Sequence, residues 1–144
     1  MSITDHVREA ISRRTRVDFE GQRRAAVLVP LIGPEDQLEL LLTRRTEDVS
    51  THRGQVAFPG GRMEPEDNGP IDTALREAEE EVALPRGGVD VLGLLDDMPT
   101  VTMDTMVTPV IGRVRTLPEL VPDPREVARI FTIPLDLLRE RDRW

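Results

Sequence analysis

Apolar positions along this chain fall into two periods. Ala25 to Ile32 is a nearly unbroken apolar run and predicts a buried strand, with Pro30 suggesting an edge or a bulge. The turn residues Gly33-Pro34-Glu35-Asp36 follow, and Leu38 to Thr43 then reads as the antiparallel partner of a hairpin. Short apolar stretches at Gln55–Phe58, Val89–Leu95, Met106–Val114 and Val127–Ile133 predict four more strands. Helical spacing appears at three places. Thr4 suits the cap of a helix running through Ser12, with Val7, Ala10 and Ile11 on one side. Pro134 suits the start of a short helix through Arg141. The longest helix follows Asn68-Gly69, with Pro70 at its first position and Ile71, Leu75, Ala78 and Val82 as an apolar stripe. Strands first, one long helix in mid-chain and strands again predict an α/β protein, a mixed sheet flanked by helices.

The polar side of the long helix changes this picture. At about 100° per residue, Glu77, Glu80 and Glu81 fall together on an arc well away from the stripe. Like charges at i,i+4, as in Glu77 and Glu81, destabilise a helix by roughly 0.2–0.5 kcal/mol. Acids in a last turn also oppose the helix dipole. No basic residue stands four positions after any of the three. A solvated acidic face is the simpler reading of such a run. A hard divalent cation such as Mg²⁺ or Mn²⁺ would instead turn the repulsion into ligation. The residues ahead of the helix favour the cation. Phe58-Pro59-Gly60-Gly61 leaves a predicted strand, and paired glycines allow backbone to approach a phosphate closely.

Composition narrows the classes. A chain of 144 residues with 38% hydrophobic and 32% charged residues suits one globular domain with its own core. The net charge of −8 argues against a nonspecific nucleic-acid binder. There are no cysteines, which excludes disulfides and thiol chemistry. The N-terminus lacks the apolar stretch of a signal peptide, and the run from Ala25 to Ile32 is too short to span a membrane. We therefore expect a cytoplasmic protein with no membrane partner.

Gly61, Arg76, Glu77, Glu80 and Glu81 together resemble the Nudix box, G-x5-E-x7-R-E-U-x-E-E-x-G-U with U apolar. Arg76-Glu77-Ala78-Glu79-Glu80-Glu81 fits its core. Two places depart from it. The interval from Gly61 to Arg76 is one residue longer, with Asp67 or Asn68 where the first Glu would stand. Ala83 replaces the final Gly, so the helix end is expected to be made by Pro85 and Gly87-Gly88. The resemblance implies an α/β/α sandwich, a single Nudix domain over residues 1–144, and metal ligation by Glu77, Glu80 and Glu81. It also implies Arg76 orienting one of these carboxylates, and a general base drawn from Glu80 or Glu126.

Upstream, Leu41-Leu42-Thr43-Arg44-Arg45-Thr46 and Gly54 to Gly61 resemble the signature of the coenzyme A diphosphatase branch, L-L-T-x-R-[SA]-x3-R-x3-G-x3-F-P-G-G. Thr46 stands for the small residue and Ser50 for an Arg, with His52 and Arg53 close by. Arg44, Arg45, Arg53 and Arg62 cluster around the glycine turn against an acidic background, and Arg suits bidentate phosphate contact. The resemblance singles out Arg45, and substrate contacts are expected from Arg44, Arg45, Arg53, Gly60 and Gly61, with a small-molecule nucleotide as partner. The expected reaction is hydrolysis of coenzyme A to 3′,5′-ADP and 4′-phosphopantetheine. Another nucleotide such as ADP-ribose or an oxidised nucleoside triphosphate stays open, as do a non-catalytic ligand-binding domain and an incomplete, inactive one. The resemblance further implies one more strand and a closing helix beyond Trp144. Leu135, Leu138 and Trp144 would then be left for a partner to cover, which predicts a homodimer. A monomer whose N-terminal helix, around Val7 and Ile11, covers that face is the alternative.

Overall fold

The computed structural model describes residues 2–13, 23–47, 54–100 and 104–139. Arg53, His52, Ser50 and Trp144 lie outside these residues. Among the described residues eight strands form one mixed sheet. In chain order they are β1 (Arg23–Ile32), β2 (Glu39–Arg45), β3 (Val56–Ala57), β4 (Gly60–Arg62), β5 (Asp90–Leu94), β6 (Met98–Pro99), β7 (Thr105–Val114) and β8 (Val127–Pro134). Two α-helices, α1 (Ile3–Arg13) and α2 (Pro70–Val82), accompany them. Short 3₁₀ turns occupy Arg86–Gly88 and Leu135–Arg139, the second where a helix through Arg141 was expected.

The expected hairpin forms and then splays. β1 and β2 pair only at Leu31↔Leu40 and Ile32↔Glu39, next to the turn. Beyond that point β2 holds β8 along its other edge, and β1 runs parallel to β7 over its whole length. The wedge between β1 and β2 is filled by the segment that follows. β3 pairs with the end of β2, and β4 pairs with the start of β1, Val27↔Gly60 through Ala25↔Arg62. Between them the Leu28 amide donates to Pro59 O at 2.8 Å. Pro30 is thus in an interior strand, not at an edge. Alternate residues of a strand direct their amides to the same side, so position 30 faces the gap between Pro59 and the resumption of β2. No ladder bond is lost there.

A helix covers each face. Ala26, Leu28 and Ile32 of β1 pack with Val110 and Val114 of β7 under Ala74, Leu75, Ala78 and Val82 of α2. On the other face Leu31, Leu38, Leu40 and Leu92 take Ile3 and Val7 of α1, with Leu135 beside them. The strand alternation Leu31/Ile32 supplies one residue to each core. α1 comes so close to β5 that a Cβ on Gly93 would lie 2.5 Å from Ile11 Cγ2. The face assigned to a dimer partner is therefore occupied, at least around Ile3, Val7 and Ile11, by the chain's own first helix.

α2 differs from expectation at both ends. Ile71, in the first turn, is 39% exposed. At the other end Ala83 itself adopts the left-handed conformation, φ 59°, and its amide donates to Glu79 O at 3.0 Å. Pro85 and Gly87-Gly88 do not close the helix. Two further C-terminal carbonyls are met by tertiary contacts: Val121 and Asp123 donate to Val82 O and Glu81 O at 3.1 and 2.8 Å.

Candidate active site

α2 crosses the sheet with Glu77 and Glu81 facing β4. The two are one helical turn apart, so their side chains stack on one row. Gly60 and Gly61 were expected to form a turn beside a phosphate. They form a strand instead, and their missing side chains make room for protein. A Cβ on Gly60 would lie 2.4 Å from Ala26 O, and one on Gly61 would lie 2.5 Å from Glu77 Oε1. The Gly60 amide donates to Glu81 Oε2 at 3.0 Å. Glu81 is consequently buried, only 4% exposed, rather than on a solvated arc.

The third carboxylate comes from far away in sequence. Carboxylate oxygens of Glu77, Glu81 and Glu126 lie within 4.8 Å of one another. Three contacts bring Glu126 there. The segment before it is tied to the end of α2 by the Val121 and Asp123 amides. Its own carbonyl accepts from the Thr46 amide at 3.0 Å, and the Thr46 hydroxyl donates to Arg125 O at 3.2 Å. Thr46, which read as a departure from a small residue, thus ties the end of β2 to the loop bearing Glu126. The pairing Arg45↔Val127, after an irregularity at Arg44/Arg45, puts Arg45 next to the same loop.

Glu80 is placed differently. Its carboxylate is not in this trio; its side chain is 55% exposed and pairs with Arg76 Nη1 at 3.3 Å. One residue along the helix rotates a side chain by about 100°, enough to take Glu80 off the row that Glu77 and Glu81 share. Arg76 is the hub of a separate network. Its Nε and Nη2 donate to the two oxygens of Asp67, both at 3.0 Å, its Nη1 to Glu77 Oε1 at 3.1 Å and its Nη2 to Arg62 O at 3.1 Å. Asp67 also accepts from the Thr73 hydroxyl at 2.8 Å. Asp67, not Asn68, therefore stands in for the first Glu of the box.

Electrostatics follow from this packing. Burial raises the Glu81 pKa from 4.5 to about 8; the Gly60 amide opposes the shift, Glu77 and Glu126 add to it, and Arg45 offsets part of it. Burial likewise raises the Glu77 pKa, against the pull of Arg76, with Glu80 and Glu126 adding to the rise. The Arg76 hydrogen bonds hold the Asp67 carboxyl far below the usual range, and Asp67 in turn raises the Arg76 pKa. Two converging carboxylates that resist ionisation together form a poor site for solvent and a good one for a hard cation. Oxygen-only donors, two from α2 and one from the loop before β8, fit Mg²⁺ or Mn²⁺.

A cleft of about 660 Å³ opens beside the trio, lined by Arg45, Gly60, Gly61 and Arg62 on one side and by Asp104 and Thr105 on the other. Arg44 is exposed and is not part of this lining. Asp104 carried little signal of a site role in the chain. Asp67 and Thr46 could have been found as the occupants of box and signature positions.

An α/β sheet covered by a helix on each face, with a Gly-Gly strand pressed against a carboxylate-bearing helix, is the architecture of the NUDIX domain. The chain belongs to that family, whose domain model matches residues 22–144. It is 50% identical over 115 residues to the uncharacterized Nudix hydrolase NudL of Pectobacterium atrosepticum, covering 80% of this chain and 59% of that protein. The NudL of Yersinia pestis is 50% identical over 114 residues, covering 78% and 56%. The chain thus spans less than two thirds of the length of these relatives. Among solved structures, the Nudix hydrolase RenU of M. smegmatis superposes with a TM-score of 0.67 at 25% identity, over 85% of this chain and 76% of that one. A C. elegans Ap4A hydrolase binary complex gives 0.66 at 16% identity, over 85% and 87%. The NUDIX domain of Shewanella oneidensis NrtR, complexed with ADP ribose, gives 0.59 at 18% identity, over 96% and 88%.

Proposed function

We propose that this protein hydrolyses a diphosphate linkage in a nucleoside diphosphate derivative, and that coenzyme A is its preferred substrate. The convergence of Glu77, Glu81 and Glu126 within 4.8 Å at the wall of a cleft carries the reading. In it these three carboxylates hold Mg²⁺ or Mn²⁺. When bound, the cation supplies charge neutralisation for the diphosphate and acidifies water. Arg76 keeps Glu77 oriented by its 3.1 Å hydrogen bond, and Asp67 keeps Arg76 in place. Gly60 holds Glu81 through its amide. Arg45 provides positive charge next to Glu81 and Glu126, where a phosphate oxygen would approach. Of the two candidate bases, Glu126 lines the cleft, whereas Glu80 is engaged by Arg76 outside the trio.

The preference for coenzyme A rests on the signature through Arg45 and Gly54 to Gly61, and Arg53 belongs to the same reading. The partner is a small nucleotide, not nucleic acid or a membrane. No helix among the described residues is long and apolar enough to cross a membrane, and a cytoplasmic location goes with this substrate. The test is a panel of coenzyme A, ADP-ribose and an oxidised nucleoside triphosphate with Mg²⁺ and with Mn²⁺, products separated by chromatography. Coenzyme A should give 3′,5′-ADP at the highest kcat/KM. Cleavage of another dinucleotide but not of coenzyme A would overturn the substrate. Binding without turnover of any would leave a ligand-binding domain.

A further inference from the structure

Arg62 lines the cleft beside the carboxylate trio. Arg62 ends β4, two residues beyond Gly60 and one beyond Gly61, so it starts beside Glu77 and Glu81. Its carbonyl accepts from Arg76 Nη2 at 3.1 Å, which pins its backbone to the same network that orients Glu77. Its register Ala25↔Arg62, together with Ala25↔Val107, aligns three residues across three strands. All three line the cleft, so Arg62 stands at the end of a small aliphatic floor made by Ala25 and Val107. Among the described residues its guanidinium has no hydrogen bond and no ion pair, although the cleft also holds Glu77, Glu81, Glu126 and Asp104. The exposed Arg44, by contrast, lies outside the cleft.

A guanidinium kept apart from carboxylates in a chain of net charge −8 is available to an incoming anion. The charge of Arg45 already acts on Glu81. A cation held by the trio would neutralise the diphosphate itself. The geometry points to Arg62 as a specificity-determining residue: it binds a phosphate monoester that the substrate carries in addition to its diphosphate. This deepens the Proposed function by naming the substrate class, diphosphates bearing a further phosphate, and rests on that reading for the catalytic part only. A planar fork suits a terminal phosphate, which offers several oxygens at once.

Binding tests this without turnover. Titration calorimetry compares adenosine 3′,5′-bisphosphate with adenosine 5′-monophosphate on the wild type, Arg62→Gln and Arg62→Lys. We expect the wild type to prefer the bisphosphate about tenfold, Arg62→Gln to reduce that preference to within about twofold, and Arg62→Lys to fall between. Thermal melts of the variants check that the fold persists. A wild type without preference, or an Arg62→Gln that keeps it, overturns the inference whether or not the protein cleaves coenzyme A. If turnover is present, the kcat/KM ratio of coenzyme A to dephospho-coenzyme A should fall in Arg62→Gln through KM rather than kcat. Equal losses on both substrates would place Arg62 on the diphosphate and refute the assignment. Failure of the substrate panel with an intact calorimetric preference would sink the proposed reaction alone.

Discussion

Replacing Glu81 by Gln should weaken function and strengthen the fold. Glu81 is 4% exposed, and burial raises its pKa to about 8 against the usual 4.5. The folded, metal-free protein therefore binds more protons than the unfolded chain between these two values. The stability contributed by this group is complete below pH 4.5 and falls as pH rises towards 8. The displacement corresponds to at most about 5 kcal/mol by pH 8. Relaxation and water entry reduce it, so we expect Glu81→Gln to be more stable than the wild type by about 2–4 kcal/mol at pH 8 in EDTA. The amide oxygen of Gln can still accept from Gly60, so no hydrogen bond is lost with the charge. At roughly 3 °C per kcal/mol the melting temperature should rise by several degrees at pH 8 and change little at pH 4.5. Mg²⁺ or Mn²⁺ should cancel most of the difference, stabilising the wild type by about 2.7 kcal/mol at a hundredfold excess over Kd and the variant far less. Hydrolysis should drop at least about a hundredfold. Melts at the two pH values, with EDTA and with metal, read all of this. A variant that melts no higher than wild type at pH 8 in EDTA would refute the electrostatic reasoning. Near-normal turnover with an unchanged metal titration would remove Glu81 from the site.

The two glycines of β4 should fail in different ways. Gly60→Ala meets the backbone of Ala26 and should cost more than about 2 kcal/mol by denaturant melt. Gly61→Ala meets the Glu77 carboxylate first, a side-chain end rather than backbone, so it should stay folded while metal affinity and turnover fall about tenfold or more. Ala83→Gly should raise stability by about 1 kcal/mol, because Ala83 holds a left-handed conformation at φ 59° that glycine adopts freely; an unchanged or lower melt would contradict the cap geometry. For oligomeric state, light scattering at tens of micromolar decides between a homodimer and a monomer covered by α1. With Ile3 and Val7 already packed on that face we expect truncation of α1, not dilution, to expose it, read by dye binding.

Local signals were strong in the amino-acid sequence. The start of α2 was legible because Asn68, Gly69 and Pro70 each act on their own backbone. The shared row of Glu77 and Glu81 was legible because helical geometry alone stacks i and i+4. The apolar runs of β1, β7 and β8 were equally plain, since burial on a sheet leaves a continuous or alternating pattern. What only the tertiary structure decided depends on chains meeting from distant positions. The splay of β1 from β2 opens the wedge that turns Gly60 and Gly61 into a strand, and that strand buries Glu81. Backbone pairing, not residue type, brings Glu126 into the trio through Thr46 and the end of α2, while Glu80 stays with Arg76. Periodicity carries the direction of a side chain relative to its own helix or strand. It carries nothing about which element covers that side, and here the covering element separates a buried ligand from a solvated acid.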